Sequence, residues 1–238
     1  MNISVINGTE KHGVTYCLKE MFLAEFKDKA NIKEYYLPGD CPSFCVGCLN
    51  CTLKGENTCK DAEYIERIDK SLLEADLIVM TSPAYVFHAT GAMKAFLDHL
   101  AYRWIPHRPA PAMFGKRAVI ITQCLGGGAK SAAKDIKHSL SWWGISKIGV
   151  FTGKLMGDIV WDKLPQKKQS ELTNKVKRLS QKFARIDYAK AAHTNFITKV
   201  KFLFCRLMQK SLHKADAEYL DGKYWAEQGW LGSVRPWK

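Results

Sequence analysis

Short apolar runs alternate with amphipathic stretches along most of the chain, and this alternation predicts its secondary structure. The stretch after the first run carries Leu18, Phe22 and Phe26 at the spacing of one helix face. In residues 76–80, Asp76 leads into four consecutive apolar residues, the pattern of a strand that is buried on both faces of a sheet. In total we predict five strands, at residues 2–6, 32–37, 76–80, 118–121 and 148–151. Strands that alternate with helices form a parallel α/β sheet, with helices on both faces and right-handed crossovers.

The last third of the chain has a different pattern. Residues 165–188 predict a helix with a basic face, and residues 196–212 predict another helix with Ile197, Val200 and Phe204 on one side. Aromatic residues then crowd the tail, at Tyr219, Tyr224, Trp225, Trp230 and Trp237. We therefore predict an α/β domain over residues 1–190, with a cysteine-rich insertion at 41–59, and a helical, aromatic-rich C-terminal extension over residues 191–238.

The composition is that of an ordinary soluble globular protein. The chain has 238 residues, 47% of them hydrophobic and 25% charged, which is enough to bury a sizeable core. No apolar run approaches the roughly 20 residues that span a bilayer, and the first residues lack the pattern of a secretion signal. We therefore expect no transmembrane segment and a cytoplasmic location, where cysteines stay reduced.

The positive charge is concentrated in one region. The formal net charge is +13, and residues 163–214 hold fourteen Lys and Arg residues against two acidic residues. Such a charge would ordinarily suggest a nucleic-acid partner, but its confinement to one stretch weakens that inference, and we expect no nucleic-acid partner. The region is then a solvated helix face, a helix at a membrane surface, or a landing site for an acidic redox partner.

Three loops follow predicted strands, and ligands bind beyond the carboxyl ends of the strands in sheets of this kind. The first loop, residues 8–15, combines glycines with the hydroxyls of Thr9 and Thr15 and with the N-terminus of the next helix. Glycines let backbone N–H groups approach a ligand, and a helix N-terminus favours an anion. The loop is therefore either a phosphate site or a plain β-to-α turn.

The second and third loops offer surfaces for a planar ligand. Pro83 holds the backbone extended, and Tyr85 presents a flat face suited to a heterocycle, although Tyr85 is equally a packing residue. Gly126, Gly127 and Gly128 permit a backbone path that residues with a Cβ resist, or they form a mobile turn. Three such loops at one sheet edge are more informative together than singly.

Four of the eight cysteines have the spacing of a metal centre. Cys45, Cys48 and Cys51 lie three residues apart, and Cys59 follows eight residues later. This spacing brings three thiolates together from one loop and a fourth from its far side, as a 4Fe–4S cluster requires. Structural zinc fits less well because it more often uses two separated Cys-x2-Cys knuckles. Reduced thiols or a redox disulfide are the remaining interpretation, with Cys41 as a spare thiol.

These motifs resemble a known family, the flavodoxin-like NAD(P)H-dependent FMN reductases, which include iron–sulfur flavoproteins. The resemblance rests on Asn7-Gly8-Thr9 with Gly13-Val14-Thr15, on the cysteine segment, and on the stretch from Ser82-Pro83-Ala84-Tyr85 to Asp98. His107-Arg108-Pro109 and the glycine loop at 126–128 fit the family as well. It covers roughly residues 1–155. The chain departs from the family pattern at Glu10, where proline is common, at Val14, where asparagine is common, and at His99, which replaces an arginine.

The resemblance implies a flavodoxin-like fold and an FMN site. The doubly wound five-stranded parallel sheet would have the order 2-1-3-4-5, and the domain over residues 1–190 would bind FMN. The implied phosphate contacts are Thr9, Gly13, Val14 and Thr15, and the implied ring contacts are Pro83, Ala84, Tyr85, Val86, Gly126, Gly127 and Gly128. Cys45, Cys48, Cys51 and Cys59 would hold the cluster.

The resemblance also implies an activity. Hydride would pass from NAD(P)H to flavin N5, and electrons would then pass to a small acceptor such as a quinone or nitroaromatic, or to a ferredoxin-like redox protein. This chemistry belongs to the cofactor, so we name no catalytic residue. The alternative is a non-enzymatic electron carrier or thiol redox sensor. We also expect a homo-oligomer, because a second chain often covers the flavin edge of such a sheet.

Overall fold

The computed structural model describes residues 1–155 and 159–237, and its elements follow the predicted alternation. The strands are β1 (Asn2–Asn7), β2 (Asn31–Tyr36), β3 (Leu77–Pro83), β4 (Arg117–Leu125) and β5 (Lys147–Leu155). The helices are α1 (Val14–Leu23), α2 (Asn50–Leu53), α3 (Ala62–Glu74), α4 (Gly91–His99), α5 (Ala129–Trp142), α6 (Gln166–Ala184), α7 (Phe196–Ala215) and α8 (Leu220–Glu227). The apolar runs therefore located all five strands, although β3, β4 and β5 are longer than the runs.

The strands form one parallel sheet in the order β2-β1-β3-β4-β5, which confirms the expected order. β3 is buried at every position, and β4 at every position except Leu125, as central strands covered on both faces must be. The chain leaves β1 towards β2 and then returns to the other side of β1 at β3. The switch point of the sheet thus lies between the loops that follow β1 and β3.

Strand pairing, rather than the local pattern, sets the end of β3. The sequence places Pro83 just beyond the strand, whereas Pro83 is the last strand residue and lies in register with Gln123 of β4. Because proline has no N–H to donate, it suits the final position of a ladder. The buried strand therefore reaches the cleft described below.

Apolar side chains that alternate along the strands build a core on each face of the sheet. Ile78 and Met80 of β3 face one layer, formed with α3, α4 and α5. Leu77 and Val79 face the other layer, formed with α1 and α6. The core fixes the strands, so the loops at their carboxyl ends have a rigid base.

The C-terminal extension adds a third, aromatic core. The ring of Phe202 in α7 stacks on Trp225 of α8 with the centroids 4.7 Å apart, and Trp230 packs edge-on against both rings. Ile105 and Phe114, from the segment between α4 and β4, join this cluster. The opposite face of α7 is exposed and carries Phe196, Ile197, Val200, Leu203, Phe204, Leu207 and Met208. The division of the chain at residue 190 stays a prediction.

The basic helix α6 packs on the sheet through a narrow apolar stripe. Leu172, Val176 and Phe183 are buried, and most of its lysines face water. No helix in the described parts of the chain is long and apolar enough to cross a bilayer.

Candidate cofactor cleft and cysteine pocket

A cleft of about 210 Å³ opens at the carboxyl ends of β1, β3 and β4, beside the switch point of the sheet. The first loop supplies one wall, and the residues after β3 supply another. The lining residues are Thr9, Lys11, Gly13, Val14, Thr15, Pro83, Ala84, Tyr85, Gln123, Leu125 and Ile159. The four implied phosphate contacts and three of the implied ring contacts therefore meet in one cavity.

The first loop is anchored to the neighbouring strand and helix. The Gly8 N–H donates to the Thr81 carbonyl at 2.7 Å, and the Thr90 hydroxyl donates to the Gly8 carbonyl at 2.6 Å. A Cβ on Gly8 would come within 2.8 Å of the Thr81 carbonyl oxygen, so this close approach requires glycine. Thr90 also caps α4, because its hydroxyl oxygen accepts a hydrogen bond from the Met93 N–H.

The end of the first loop suits an anion. α1 begins after Gly13 and has no acidic residue in its first turn, so its free N–H groups and positive dipole end are not already neutralised. Thr15 is only 4% exposed, and its hydroxyl has no hydrogen-bond partner among the described residues. Such a hydroxyl is unfavourable unless a ligand supplies the missing bond. Lys11, which the sequence motif did not single out, adds positive charge to this wall.

The wall after β3 is flat and partly apolar. The Ala84 N–H donates to the Gln123 carbonyl at 2.7 Å, which fixes the backbone between Pro83 and the half-exposed Tyr85. Gln123 is buried, and its side-chain oxygen has no hydrogen-bond partner in the described part of the chain. It therefore offers an acceptor in a cleft that is otherwise suited to an aromatic ring. The side-chain oxygens of Thr15 and Gln123, which have no partner among the residues that the structure describes, make the cleft fit a ligand with both an anionic and a planar part.

A tight turn closes the second loop. Tyr85 and His88 exchange two backbone hydrogen bonds, of 2.9 and 3.1 Å. Between them, Val86 and Phe87 have φ angles of 49° and 68°, a left-handed conformation that is strained for these side chains. Asp135 of α5 braces the turn, with Oδ2 at 3.1 Å from His88 Nδ1. Strain held in place by neighbouring elements is common at ligand sites.

Val86 and the three glycines lie outside the cleft. Val86 is 91% exposed. An adjoining cavity of about 260 Å³ is lined by residues that include Phe87, Gly126, Gly127, Gly128, Lys130 and Lys154. A Cβ on Gly128 would come within 2.6 Å of the Phe87 Cα, so glycine lets the second and third loops touch. Contact between these four residues and a cofactor stays a prediction.

The four predicted metal-binding cysteines line a single pocket. Its walls are formed by Cys45, Val46, Cys48, Leu49, Cys51, Cys59, Lys60, Asp61 and His99. Gly47 and Leu49 have φ angles of 66° and 59°, and these left-handed positions coil the segment around the pocket. All four thiols are free. Four thiols around one pocket are the donor set of a 4Fe–4S cluster, so the residues fit that group.

Two buried polar side chains, His99 and Asp61, also line the cysteine pocket. Nδ1 of the buried His99 lies 4.0 Å from the Cys59 sulfur, and Nε2 lies 3.1 Å from the Ser43 carbonyl oxygen. Asp61 Oδ2 is buried without a hydrogen-bond partner among the residues described. Burial raises the pKa of the Cys59 thiol, and the charge of Asp61 raises it further. The pocket therefore disfavours a thiolate that no cation neutralises.

Helix α4 connects the cleft to the cysteine pocket. It begins after Thr90, which holds the first loop, and ends at His99 in the pocket. Nine helical residues span about 13 Å. Within the described residues, the two cavities have no lining residue in common. They are separate sites at the two ends of one helix.

Comparisons with known proteins place the chain among similar sequences. A family model described as NADPH-dependent FMN reductase matches residues 1–154. An iron–sulfur flavoprotein of Archaeoglobus fulgidus is 23% identical over 233 residues, which cover 96% of this chain and 99% of the relative. An iron–sulfur flavoprotein of Clostridioides difficile is 26% identical over 241 residues, with the same coverage of both chains.

A solved structure shares the fold. The FMN-dependent NADH-azoreductase of Bacillus anthracis, in complex with FMN, superposes with a TM-score of 0.60 at 15% sequence identity. The superposition covers 78% of this chain and 100% of that one.

Proposed function

The chain belongs to the NADPH-dependent FMN reductase family and is an FMN-dependent NAD(P)H oxidoreductase, and from this premise we propose that the cleft at the sheet edge holds its FMN. The phosphate would lie on the first loop, at Thr9, Gly13, Val14 and Thr15, and the ring would lie against Pro83, Ala84 and Tyr85. The observation that carries this proposal is that two buried side-chain oxygens in one cleft, on Thr15 and Gln123, have no hydrogen-bond partner among the described residues.

The residues of the cleft would bind and orient the cofactor. When bound, FMN supplies the chemistry, accepting hydride from NAD(P)H at N5 and releasing electrons to an acceptor. The N-terminus of α1 and Lys11 would neutralise the phosphate charge, and Thr15 would donate its hydroxyl proton to a phosphate oxygen. Tyr85, half exposed, would cover part of the ring while leaving access for substrates. We propose small acceptors, such as quinones or nitroaromatics, or a redox protein such as a ferredoxin.

A titration of FMN into the apoprotein tests the cleft. Thr15→Val keeps the shape of the side chain but removes its hydroxyl, so we expect FMN to bind about tenfold more weakly, the effect of one hydrogen bond to a charged group. Thr173→Val, on α6, is the matched control and should bind FMN like the wild type. Equal FMN affinity in the wild type and in Thr15→Val would contradict the assignment.

We further propose that Cys45, Cys48, Cys51 and Cys59 bind a 4Fe–4S cluster. The support is that the four free thiols line one pocket, and that two relatives aligned over 96% of the chain are iron–sulfur flavoproteins. A cluster at the far end of α4 would pass single electrons between FMN and a protein partner. If the pocket holds no metal, the same cysteines would act as a thiol redox sensor beside the flavin site.

The exposed face of α7 supports the expected homo-oligomer. Monomeric proteins rarely expose large contiguous apolar patches, and this face presents seven apolar residues over three turns. A second copy would cover this face with its own α7. We propose self-association through α7, and the test is given in the Discussion.

A further inference from the structure

One buried carboxylate ties the C-terminal extension to the rest of the chain. Asp221, in the first turn of α8, is fully buried. Its Oδ1 accepts a hydrogen bond from Arg108 Nη1, and its Oδ2 lies 2.8 Å from His107 Nδ1 and accepts from the Tyr219 hydroxyl at 3.0 Å. Both oxygens of this buried carboxylate therefore have polar partners, two of them from the segment between α4 and β4.

Arg108 passes this constraint to the cysteine segment. Its side chain is buried, and Nη1 also donates to the Thr52 carbonyl at 3.1 Å. Nη2 donates to the Cys51 carbonyl and to Glu56 Oε2, the latter at 3.1 Å. The guanidinium of Arg108 thus binds one carboxylate of the extension and one of the cysteine segment. It also binds two adjacent backbone carbonyls, one of which belongs to Cys51, a predicted cluster ligand.

These bonds meet a local need of the cysteine segment. α2 spans only Asn50–Leu53, and the last carbonyls of a helix have no partner within it. The planar guanidinium of arginine presents several N–H donors in fixed directions, so it can hold two adjacent carbonyls and a carboxylate at once, whereas lysine is a point donor. A helix this short depends on contacts of this kind for its position.

The extension is itself fixed to the segment that contains Arg108. The Trp225 ring N–H donates to the His107 carbonyl at 2.7 Å, and the Tyr224 hydroxyl donates to the Pro109 carbonyl at 2.7 Å. In α7, the Gln209 amide donates to the Pro106 carbonyl at 2.7 Å. The extension thus binds the carbonyls of residues 106, 107 and 109, on either side of Arg108.

We propose that the C-terminal extension is a structural part of the cysteine pocket, in which Asp221 orients Arg108 and Arg108 positions the backbone of Cys51. Arg108 and Asp221 are positioning residues, because neither lines the pocket. The role in holding a cluster rests on the cluster proposed above. The proposed effect on the Cys51 backbone does not depend on a cluster. The two proposals can therefore be tested separately.

The first test uses the metal-free full-length protein and measures the alkylation rate of each cysteine by mass spectrometry. In the wild type we expect Cys45 and Cys48, which are exposed, to react faster than the half-buried Cys51. Asp221→Asn removes the charge that orients Arg108, so we expect Cys51 to react about tenfold faster, while Cys45 and Cys48 change less than about twofold. An unchanged Cys51 rate would overturn the proposal.

Arg103→Lys is the matched control. Arg103 lies in the same segment and pairs with the buried carboxylate of Asp69, but it bonds no backbone carbonyl of the cysteine segment among the contacts described. We expect its Cys51 rate to match the wild type. A Cys51 rate that rises equally in Arg103→Lys would mean that disturbing any buried ion pair loosens the region, and it would overturn the specific role of Asp221.

A milder variant covers the case in which Asp221→Asn does not fold. Fast alkylation of the buried Cys124 and Cys205 would reveal such unfolding. Tyr219→Phe then decides the question, because it removes one hydrogen bond to Asp221 and leaves every charge in place. We expect a smaller, selective rise at Cys51, and no rise would overturn the proposal.

The second test measures iron and acid-labile sulfide after reconstitution, and the rate at which a chelator removes the iron. We expect the chelator to strip iron about tenfold faster from Asp221→Asn than from the wild type. A wild type that binds no iron would overturn the cluster and leave the alkylation result to decide the role of Asp221. Equal iron loss in both proteins, with a faster Cys51, would overturn the role of the extension in cluster retention alone.

Discussion

Thr15 and Gln123 show what single residues contribute to the cleft. The loop motif directs attention to Thr15, because hydroxyls near a helix N-terminus suit a phosphate. Gln123 has no such local signal, since it lies inside an apolar strand, and its role becomes visible only when β4 pairs with β3 at Pro83. The contact between Arg108 and Asp221, which are 113 residues apart in the sequence, is likewise visible only in the folded chain. Local sequence patterns could not have predicted this contact or the pairing of Gln123 with Pro83.

The cysteines carry the residue-level prediction for metal binding. Cys48→Ser replaces a soft thiolate ligand with a hydroxyl, so we expect iron incorporation to fall to background while FMN stays bound. Metal analysis and visible absorbance after reconstitution measure this. Cys17→Ser, on α1 and outside the pocket, is the control and should keep its iron. Unchanged iron in Cys48→Ser would remove Cys48 from the ligand set.

Among the elements, the sequence located the helices and strands better than it located their ends. The apolar run at 118–121 predicts a four-residue strand, yet β4 continues to Leu125 because its polar residues pair with β3 and β5. The short helix α2 gave no periodic signal, and contacts with Arg108 hold it. In α7, the pattern identified the apolar side but not that Phe202 and Cys205, on the other side, would be the buried ones.

Tyr224 of helix α8 leads to a prediction of how the stability of the protein depends on pH. Burial raises the pKa of Tyr224 to about 12, whereas an unfolded tyrosine titrates near 10. Above about pH 10 the unfolded chain loses this proton while the folded chain retains it, so this contribution to stability is complete below pH 10 and falls as the pH rises towards 12. We expect this contribution to fall by at most roughly 3 kcal/mol over the whole window.

Urea unfolding, followed by tryptophan fluorescence between about pH 9 and 11, measures this effect. Tyr224→Phe cannot titrate at this position, so its stability should fall less steeply with pH than that of the wild type. Parallel pH profiles for the two proteins would mean that Tyr224 titrates normally in the folded state.

At the scale of the whole molecule, the family resemblance supplied the strand order, which no local pattern specifies, and pairing confirmed it. Neither the hydrophobic pattern nor the family resemblance predicted that an apolar face of α7 would be exposed to solvent. This helix contains five Lys and Arg residues, no acidic residue, and an exposed apolar face. The charges flank the apolar residues, so two copies that pack through this face bring like charges near each other.

Self-association through α7 therefore predicts an unusual response to salt. Raising the ionic strength from about 0.05 M to 0.5 M screens the like charges and should increase the oligomer fraction, measured by analytical ultracentrifugation. Binding to nucleic acid or to another anionic partner would instead weaken as salt rises. Phe204→Glu should give a monomer, while Val234→Glu, at an exposed apolar residue outside α7, should not. A wild type that is monomeric at every salt concentration would contradict self-association.

The most direct test of the central claim is the anaerobic addition of NADPH, and separately of NADH, to the FMN-loaded protein while the flavin absorbance is followed. The account predicts that at least one nicotinamide bleaches the flavin rapidly and that a quinone restores the absorbance. A flavin that dithionite reduces but neither nicotinamide bleaches would contradict the oxidoreductase and favour an electron carrier or thiol sensor.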